Sequence, residues 1–178
     1  MATKQKPPTA AAEPFEVKAA RLIAMARAVI EADPQAYGEL QAGGIRSQGD
    51  LDFAAQAAGR RFDEVGVVVG RPTEAAAAVP AAVFTSLAYG HPFFDGNKRT
   101  AFLAAMATAA ALGFQFRNEP PEGLEKSIIT FAAENTAAEE VARWMVGNAM
   151  QAPKRGGTPH VSVPKIARHF AAVIKALA

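Results

Sequence analysis

The chain has 178 residues, half of them hydrophobic, which is enough for one well-buried domain and short for two. It contains no cysteine, so disulfide frameworks, thiolate zinc sites and thiol nucleophiles are excluded, and the cytoplasm is the expected location. The formal net charge is +2, but five of the 19 basic residues and none of the 17 acidic ones lie in residues 151–178. The remaining chain is mildly acidic, so the overall charge is weak support for nucleic-acid binding. No apolar run approaches the length of a membrane span, and neither secretion nor insertion is expected.

The 42 alanines predict a mainly helical fold, because alanine loses the least free energy on entering a helix. Residues 1–12 are rich in Pro, Thr and Ala without a pattern to bury, and are expected to form a flexible arm. Pro14 suits the first turn of a helix whose apolar stripe stops before Asp33. Ser47 is the predicted N-cap of a second helix.

Residues 65–70 change the pattern, because four valines bounded by glycine favour a short strand or hairpin over a helix. Helices are predicted again over 73–89, from Asn97 to Gly113, and over 122–135 and 136–148. The second of these is apolar on nearly every side and is therefore expected to be a core helix.

The C-terminal region is predicted to be a basic linker followed by one amphipathic helix over 162–177. Large apolar residues recur on one side of that helix, which should pack on the body or on a second copy. They are Val163, Ile166, Phe170 and Ile174.

Residues 90–100 concentrate the side chains that a phosphate-handling site needs, at the start of the predicted core helix. Free N–H groups at a helix N-terminus attract anions, and Gly96 would allow a phosphate to approach the backbone. Lys98 and Arg99 add positive charge, Asp95 is a hard oxygen ligand suited to Mg²⁺, and His91 can accept a hydroxyl proton. Two cations at the positive end of a helix are unfavourable unless an anion binds there.

The run from His91 to Arg99, His-Pro-Phe-Phe-Asp-Gly-Asn-Lys-Arg, resembles the signature of the Fic/Doc family. That signature is His-x-Phe-x-Asp/Glu-Gly-Asn-Gly-Arg-x-x-Arg in adenylyl-transferring Fic enzymes and His-x-Phe-x-Asp-Ala-Asn-Lys-Arg in death-on-curing (Doc) toxins. A weaker similarity extends from about Gly43 to Trp144. The resemblance implies an all-α, Fic/Doc-like helical bundle with a small β-hairpin flap. We assign the catalytic domain to residues 13–150; the basic linker and helix of 151–178, like residues 1–40, are not covered by the resemblance.

The resemblance also implies roles for the motif residues. His91 would be the general base, and Asp95 would hold Mg²⁺ on the phosphates of ATP. Phe93 would anchor the turn to the core, and the segment 60–70 would be the flap that presents the target backbone. The anion cradle would consist of Gly96, Asn97 and Lys98, with Arg99 binding a further phosphate.

Two departures from the Fic form make the motif Doc-like, whereas a third position keeps the Fic residue. Lys98 replaces a glycine and Phe102 stands where a second arginine should be, whereas Gly96 is the Fic choice where Doc has alanine. The Doc reading implies a growth-arresting toxin that transfers phosphate from ATP to a Ser/Thr hydroxyl of a protein. By resemblance, the target would be translation elongation factor Tu, and an antitoxin protein would restrain the toxin.

Three alternatives stay open at the level of the sequence. The first is adenylyl transfer (AMPylation) of a protein hydroxyl. The second is a non-catalytic nucleotide- or partner-binding regulator, against which the presence of both His91 and Asp95 argues, since binding alone needs neither. The third is DNA binding through the basic C-terminal region, which predicts that affinity falls steeply as the salt concentration rises.

Overall fold

The computed structural model describes residues 13–153 and 155–178. The flexible arm predicted for residues 1–12 lies outside these ranges. Within them, the fold is mostly helical, as predicted, with one small antiparallel sheet. The helices are α1 (Phe15–Ala32), α2 (Pro34–Tyr37), α3 (Gln48–Val65), a 3-10 turn (Glu74–Ala77), α4 (Ala78–Gly90), α5 (Asn97–Leu112), α6 (Leu124–Glu134), α7 (Ala138–Asn148), α8 (Val163–His169) and α9 (Ala171–Ala176).

The central element is α5, of which every residue is buried except Lys98. It packs on α4 and α1, while α6, α8 and α9 complete its surroundings. Alanines allow these helices to approach closely and lose no side-chain entropy on burial. The predicted core helix is therefore confirmed, and its N-terminus delivers the motif to the protein surface.

Two local predictions for the first half of the chain are also confirmed. The first helix spans Phe15–Ala32 and ends before Asp33. The Ser47 hydroxyl accepts a hydrogen bond from the Asp50 N–H at 3.2 Å and so caps α3.

The strand predicted for residues 65–70 is wrong. Val65 is the last residue of α3, and Gly66 ends that helix in the left-handed conformation at φ 63°. The following residues form turns, with Val68 and Val69 exposed. A valine run becomes a strand only where a second strand supplies hydrogen-bond partners, and none lies beside it in the described structure. The sheet forms instead between β1 (Gln115–Phe116) and β2 (Met150–Gln151).

The C-terminal segment joins the main hydrophobic core and does not stand apart from it. The predicted single helix over 162–177 is interrupted at Phe170, which separates α8 from α9. This break lets the Phe170 ring reach inward and meet Phe102 and Phe116 edge-on, at 5.1 and 5.3 Å between ring centroids. The predicted apolar face of this segment is buried against the body of the protein.

Within the described ranges, no helix combines the length and apolar character that crossing a membrane requires.

The turn after α5 makes a stability prediction. Gly113 has φ 104°, and a Cβ atom on it would lie 2.8 Å from the Gly70 Cα. We expect Gly113→Ala to lower the free energy of unfolding by about 2–4 kcal/mol, because both the backbone conformation and the contact oppose a side chain. Urea denaturation measures the change. Gly147→Ala, in α7 where a Cβ meets nothing within 4 Å, is the matched control and should be neutral or stabilising by up to about 1 kcal/mol.

Candidate active site at the start of the buried helix

The turn between α4 and α5 is held closed by the side chain of Asn97. Its Oδ1 accepts a hydrogen bond from the Phe93 N–H, and its Nδ2 donates to the Phe93 carbonyl, both at 2.9 Å. Asn97 is buried, so both bonds form away from water. The Asn97 side chain is thus bound to the turn itself. Only the backbone N–H of Asn97 is left for the anion cradle that the sequence predicts.

Phe93 lies in the interior beneath this turn, with 3% of its surface exposed. The guanidinium of Arg27, on α1, stacks over its ring at 4.4 Å from the centroid. Arg27 also donates from Nη1 to the carbonyl of Asp95 at 2.6 Å and forms an ion pair with Glu31 at 2.6 Å. The turn is therefore fastened to α1 by one buried cation.

Residues 44–47 run alongside the motif and form backbone hydrogen bonds to it. The N–H groups of Arg46 and Ser47 donate to the Pro92 carbonyl at 2.7 and 3.1 Å, and Ile45 forms an antiparallel bridge with Phe93. The side chain of Ile45 remains exposed. The segment that bonds to the motif in this structure is therefore 44–47, whereas the sequence predicts the flap at 60–70.

His91 is exposed and ends α4 in the left-handed conformation, at φ 50° and ψ 54°. A residue with a Cβ atom pays about 1–2 kcal/mol for this backbone. Backbone strain of this kind persists only where the surrounding structure holds the residue in place, and it is found most often at functional sites. The turn thus holds the His91 backbone in a strained geometry and leaves the imidazole in solvent.

The Asp95 carboxylate faces inward, toward backbone N–H groups. Oδ2 accepts from the Gln41 N–H at 2.8 Å, and Oδ1 accepts from the Gly96 N–H at 2.5 Å. Burial raises the pKa of this carboxyl, but these two hydrogen bonds and the charges of Arg99 and Arg27 outweigh it, so the pKa lies below its usual value. Asp95 is therefore ionised at neutral pH and a third of its side chain is open to solvent.

Gly96 and Lys98 form the start of α5. Gly96 has φ 75°, and a Cβ atom there would lie 2.7 Å from the Leu40 Cδ2. Lys98 occupies the second position of the helix, is partly exposed, and joins no ion pair within the part of the chain that the structure describes. A full positive charge thus stands uncompensated at the positive end of a helix.

Arg99 is almost completely buried, with 1% of its surface exposed. Its Nη1 donates to the carbonyls of Tyr37, Gly38 and Glu39 at 3.3, 2.8 and 3.1 Å, and its Nη2 lies 3.5 Å from the Asp95 Oδ2. The guanidinium is engaged with the protein, and the predicted role of Arg99 in binding phosphate stays a prediction.

Sequence reasoning missed two components of the site, Arg27 and the backbone of residues 37–41. A signal for the first exists, because Arg27 occupies a position in the apolar stripe of α1 between Ile23 and Ile30. A cation in such a stripe needs a buried partner. Nothing in the sequence indicated that the backbone N–H of Gln41 would bind Asp95, since the two are 54 residues apart.

Asp95 is the one carboxylate among the motif residues, and it is a donor of the type that Mg²⁺ prefers. No group of three or more His, Asp or Glu side chains able to hold a metal exists among the described residues. Mg²⁺ often needs only one or two protein carboxylates when phosphate oxygens and water complete its shell, and the partly exposed Asp95 carboxylate retains lone pairs for it.

Comparison with protein-family models gives a match to the Fic/DOC family over residues 16–109. That span covers more than half of the chain and includes the complete turn and most of α5. The chain belongs to the Fic/Doc family. Members of this family are typically transferases, and membership supports a Fic-type transferase activity for this chain. A search of curated proteins found no match.

The depressed pKa of Asp95 predicts how stability depends on pH in this Fic/Doc protein. A carboxylate whose pKa is lowered by folding stabilises the fold above its unfolded pKa, and this contribution is lost as the pH falls toward the folded pKa. We expect wild type and Asp95→Asn to differ most in free energy of unfolding near neutral pH and to converge below about pH 4. Denaturant titrations across pH measure this, with Asp63→Asn on the exposed end of α3 as the charge-matched control. A difference that does not depend on pH contradicts the proposed ionisation.

The backbone of His91 gives a second prediction. His91→Gly should be more stable than His91→Ala by about 1 kcal/mol, because glycine adopts φ 50° without a Cβ penalty. Thermal or urea denaturation of the two variants measures the difference. Equal stabilities would show that this residue is not held in a left-handed conformation in solution.

Proposed function

We propose that this protein transfers the γ-phosphate of ATP to a Ser/Thr hydroxyl of a protein substrate, as a Doc-like toxin. The observation that carries the proposal is the arrangement of Lys98, Asp95 and His91 around one helix start. The cation is unpaired within the described residues, the carboxylate is held ionised, and the imidazole is exposed. This combination calls for an anion beside a proton acceptor.

In the proposed reaction, the substrate hydroxyl oxygen attacks the γ-phosphorus, and the bond from that phosphorus to the oxygen bridging to the β-phosphate breaks. His91 accepts the hydroxyl proton, and ADP leaves. The N–H groups at the start of α5 and the Lys98 ammonium hold the phosphates. Asp95 would bind Mg²⁺, which supplies charge neutralisation on the phosphates when present. Arg99 positions Asp95 and lends positive charge. Its Nη1 is occupied by the carbonyls of residues 37–39, whereas its buried Nε has no partner among the described residues.

Adenylyl transfer is the second candidate, and Gly96 was the residue that favoured it. Here the fold itself favours glycine, because Gly96 has φ 75° and a Cβ atom would lie 2.7 Å from the Leu40 Cδ2. Gly96 therefore carries less weight for adenylyl transfer. Phe102, at the position of the second Fic arginine, is fully buried and packs on Phe170. A charged side chain at this core position would be buried without a partner, which supports the Doc-like assignment.

The target-presenting segment of the proposal is residues 44–47 in place of 60–70. This segment already bonds to Pro92, next to His91, and it exposes Ile45 on its outer side. A target strand added there would bring its hydroxyl close to the base. Elongation factor Tu as the target, restraint by an antitoxin and growth arrest enter the proposal from the resemblance alone.

Labelled ATP tests the proposal and separates the two reactions. The full chain is incubated with a cell lysate and ATP labelled either at the α- or at the γ-phosphorus. We expect protein-bound label from γ-labelled ATP only, because the proposed bond is made to the γ-phosphorus. Label from α-labelled ATP would overturn phosphate transfer in favour of adenylyl transfer.

Two substitutions test the assigned roles in the same assay. His91→Ala should abolish transfer while ATP·Mg²⁺ affinity changes little, because the imidazole acts on the hydroxyl and not on the nucleotide. Asp95→Ala should weaken both. A fully active His91→Ala protein contradicts the mechanism whichever phosphorus is transferred.

We expect Lys98 to decide whether the substrate hydroxyl attacks the γ-phosphorus or the α-phosphorus of ATP. Its ammonium fills space that a glycine would leave to the α- and β-phosphates, so the nucleotide should present its γ-phosphate instead. We expect Lys98→Gly to lose phosphate transfer. Lys126→Gly is the matched control, since Lys126 is exposed in the first turn of α6 and far from the motif in sequence, and it should retain activity. Equal losses in the two variants would show that the effect is general.

A further inference from the structure

A cavity of about 370 Å³ lies at the C-terminal end of α5, opposite the motif. Its walls are the end of α5, strand β1, α8 and the segment that leads from β2 to α8. The helix rises about 22 Å from Asn97 to Leu112, so this cavity and the motif are well separated. None of the residues lining it belongs to the motif, and most of them lie beyond the span that matches the family.

The charge of the cavity wall has one sign. Arg155 and Lys165 line it, together with His160 and His169, and no Asp or Glu is among the lining residues. Neither Arg155 nor Lys165 forms an ion pair within residues 13–153 and 155–178. Two cations in the wall of one cavity that has no lining carboxylate favour an anionic ligand.

The carbonyl groups at the end of α5 are bonded to backbone N–H groups and not to Arg155 or Lys165. The Ala109 and Ala110 carbonyls accept from the Gly113 N–H at 3.2 and 3.0 Å, and Leu112 accepts from the Gly70 N–H at 2.8 Å. The helix end is thus capped by backbone groups. Arg155 and Lys165 remain available to a ligand.

The remaining wall is apolar and aromatic. Phe114, Phe116 and Ile166 line it, and the His169 ring lies nearly parallel to Phe116, at 25° and 6.1 Å between centroids. The His169 Nε2 is buried and has no hydrogen-bond partner in the described structure. His169 is therefore half-buried in the wall of the cavity, with its Nε2 turned away from solvent.

We propose that this cavity binds a small phosphorylated organic anion with a flat ring, of the nucleoside monophosphate class. Lys165 and Arg155 contact the phosphate, for which a Lys ammonium and an Arg guanidinium are the usual partners. The ring lies on the apolar wall near Phe116. The volume falls in the range of small-ligand sites. This proposal is independent of the transfer reaction, because it uses no residue of the motif.

The three histidines of the chain make the test specific to each site. The full chain is titrated with adenosine 5′-monophosphate, and separately with inorganic phosphate, at constant ionic strength and pH, while side-chain NMR signals of the histidines are followed. We expect saturable shifts of His160 and His169, and tighter binding of adenosine monophosphate than of phosphate. Shifts confined to His91 would place the binding at the motif and overturn the proposal.

Charge-matched variants decide whether Lys165 makes the contact. Lys165→Gln should weaken binding at the cavity on the order of tenfold, because one charge-assisted hydrogen bond is lost. Lys126→Gln removes the same charge from the exposed surface of α6 and should leave the affinity unchanged. Equal weakening in both would reduce the effect to overall charge and contradict the proposal. The proposal also fails if phosphate binds as tightly as the nucleotide, or if only oligonucleotides shift His160 and His169, as a nucleic-acid surface requires.

Discussion

The burial of α5 on all sides is the constraint on which the rest of this structure depends. A helix that is surrounded by neighbours has to carry small side chains wherever those neighbours approach closely, and the alanines of residues 101–111 meet that requirement. Only its two ends reach polar surroundings. Its N-terminus opens at the turn that contains the Fic/Doc motif, and its C-terminus opens at the cavity lined by Arg155 and Lys165. Both candidate sites lie at the ends of α5, because the length between them is buried in the core.

The electrostatics of the N-terminal end follow from the same burial. Arg27 and Arg99 are both buried there, and their partners are mainly backbone carbonyls together with the partly exposed Glu31 and the single carboxylate of Asp95. Carbonyl oxygens carry only partial charge, so they accept guanidinium hydrogen bonds without neutralising the cations. Arg27 Nη2 and Arg99 Nε are buried without a hydrogen-bond partner among the described residues. With Lys98 added at the positive end of α5, the site has an excess of positive charge. That excess favours an anionic ligand. Asp95 is kept ionised by the backbone N–H groups of Gln41 and Gly96, with the charges of Arg99 and Arg27 adding to their effect.

The C-terminal segment contributes to this arrangement through packing. Phe170 meets Phe102 in the core, so the residues of α8 and α9 complete the burial of α5 that the first 150 residues begin. The interruption at Phe170 is what turns the ring inward while Lys165, Arg168 and Lys175 stay exposed. The basic character of this segment thus coexists with a structural role in the Fic/Doc body.

The sequence by itself determined the helical class, the position of the core helix and the motif that begins it. These are local properties, since alanine content, a turn rich in glycine and asparagine, and the spacing from His91 to Arg99 act over a few residues. What only the tertiary structure decided involves partners distant in the chain. The valines of 65–70 contain no information about whether a second strand will lie beside them, and they form turns where none does. Likewise, the neighbours of Arg99 in sequence predict that it binds phosphate. The fold brings to its guanidinium the carbonyls of residues 37–39, which lie about 60 positions earlier in the chain. Strand pairing and the satisfaction of buried charge depend on which segments the packing brings together, and local sequence does not encode that choice.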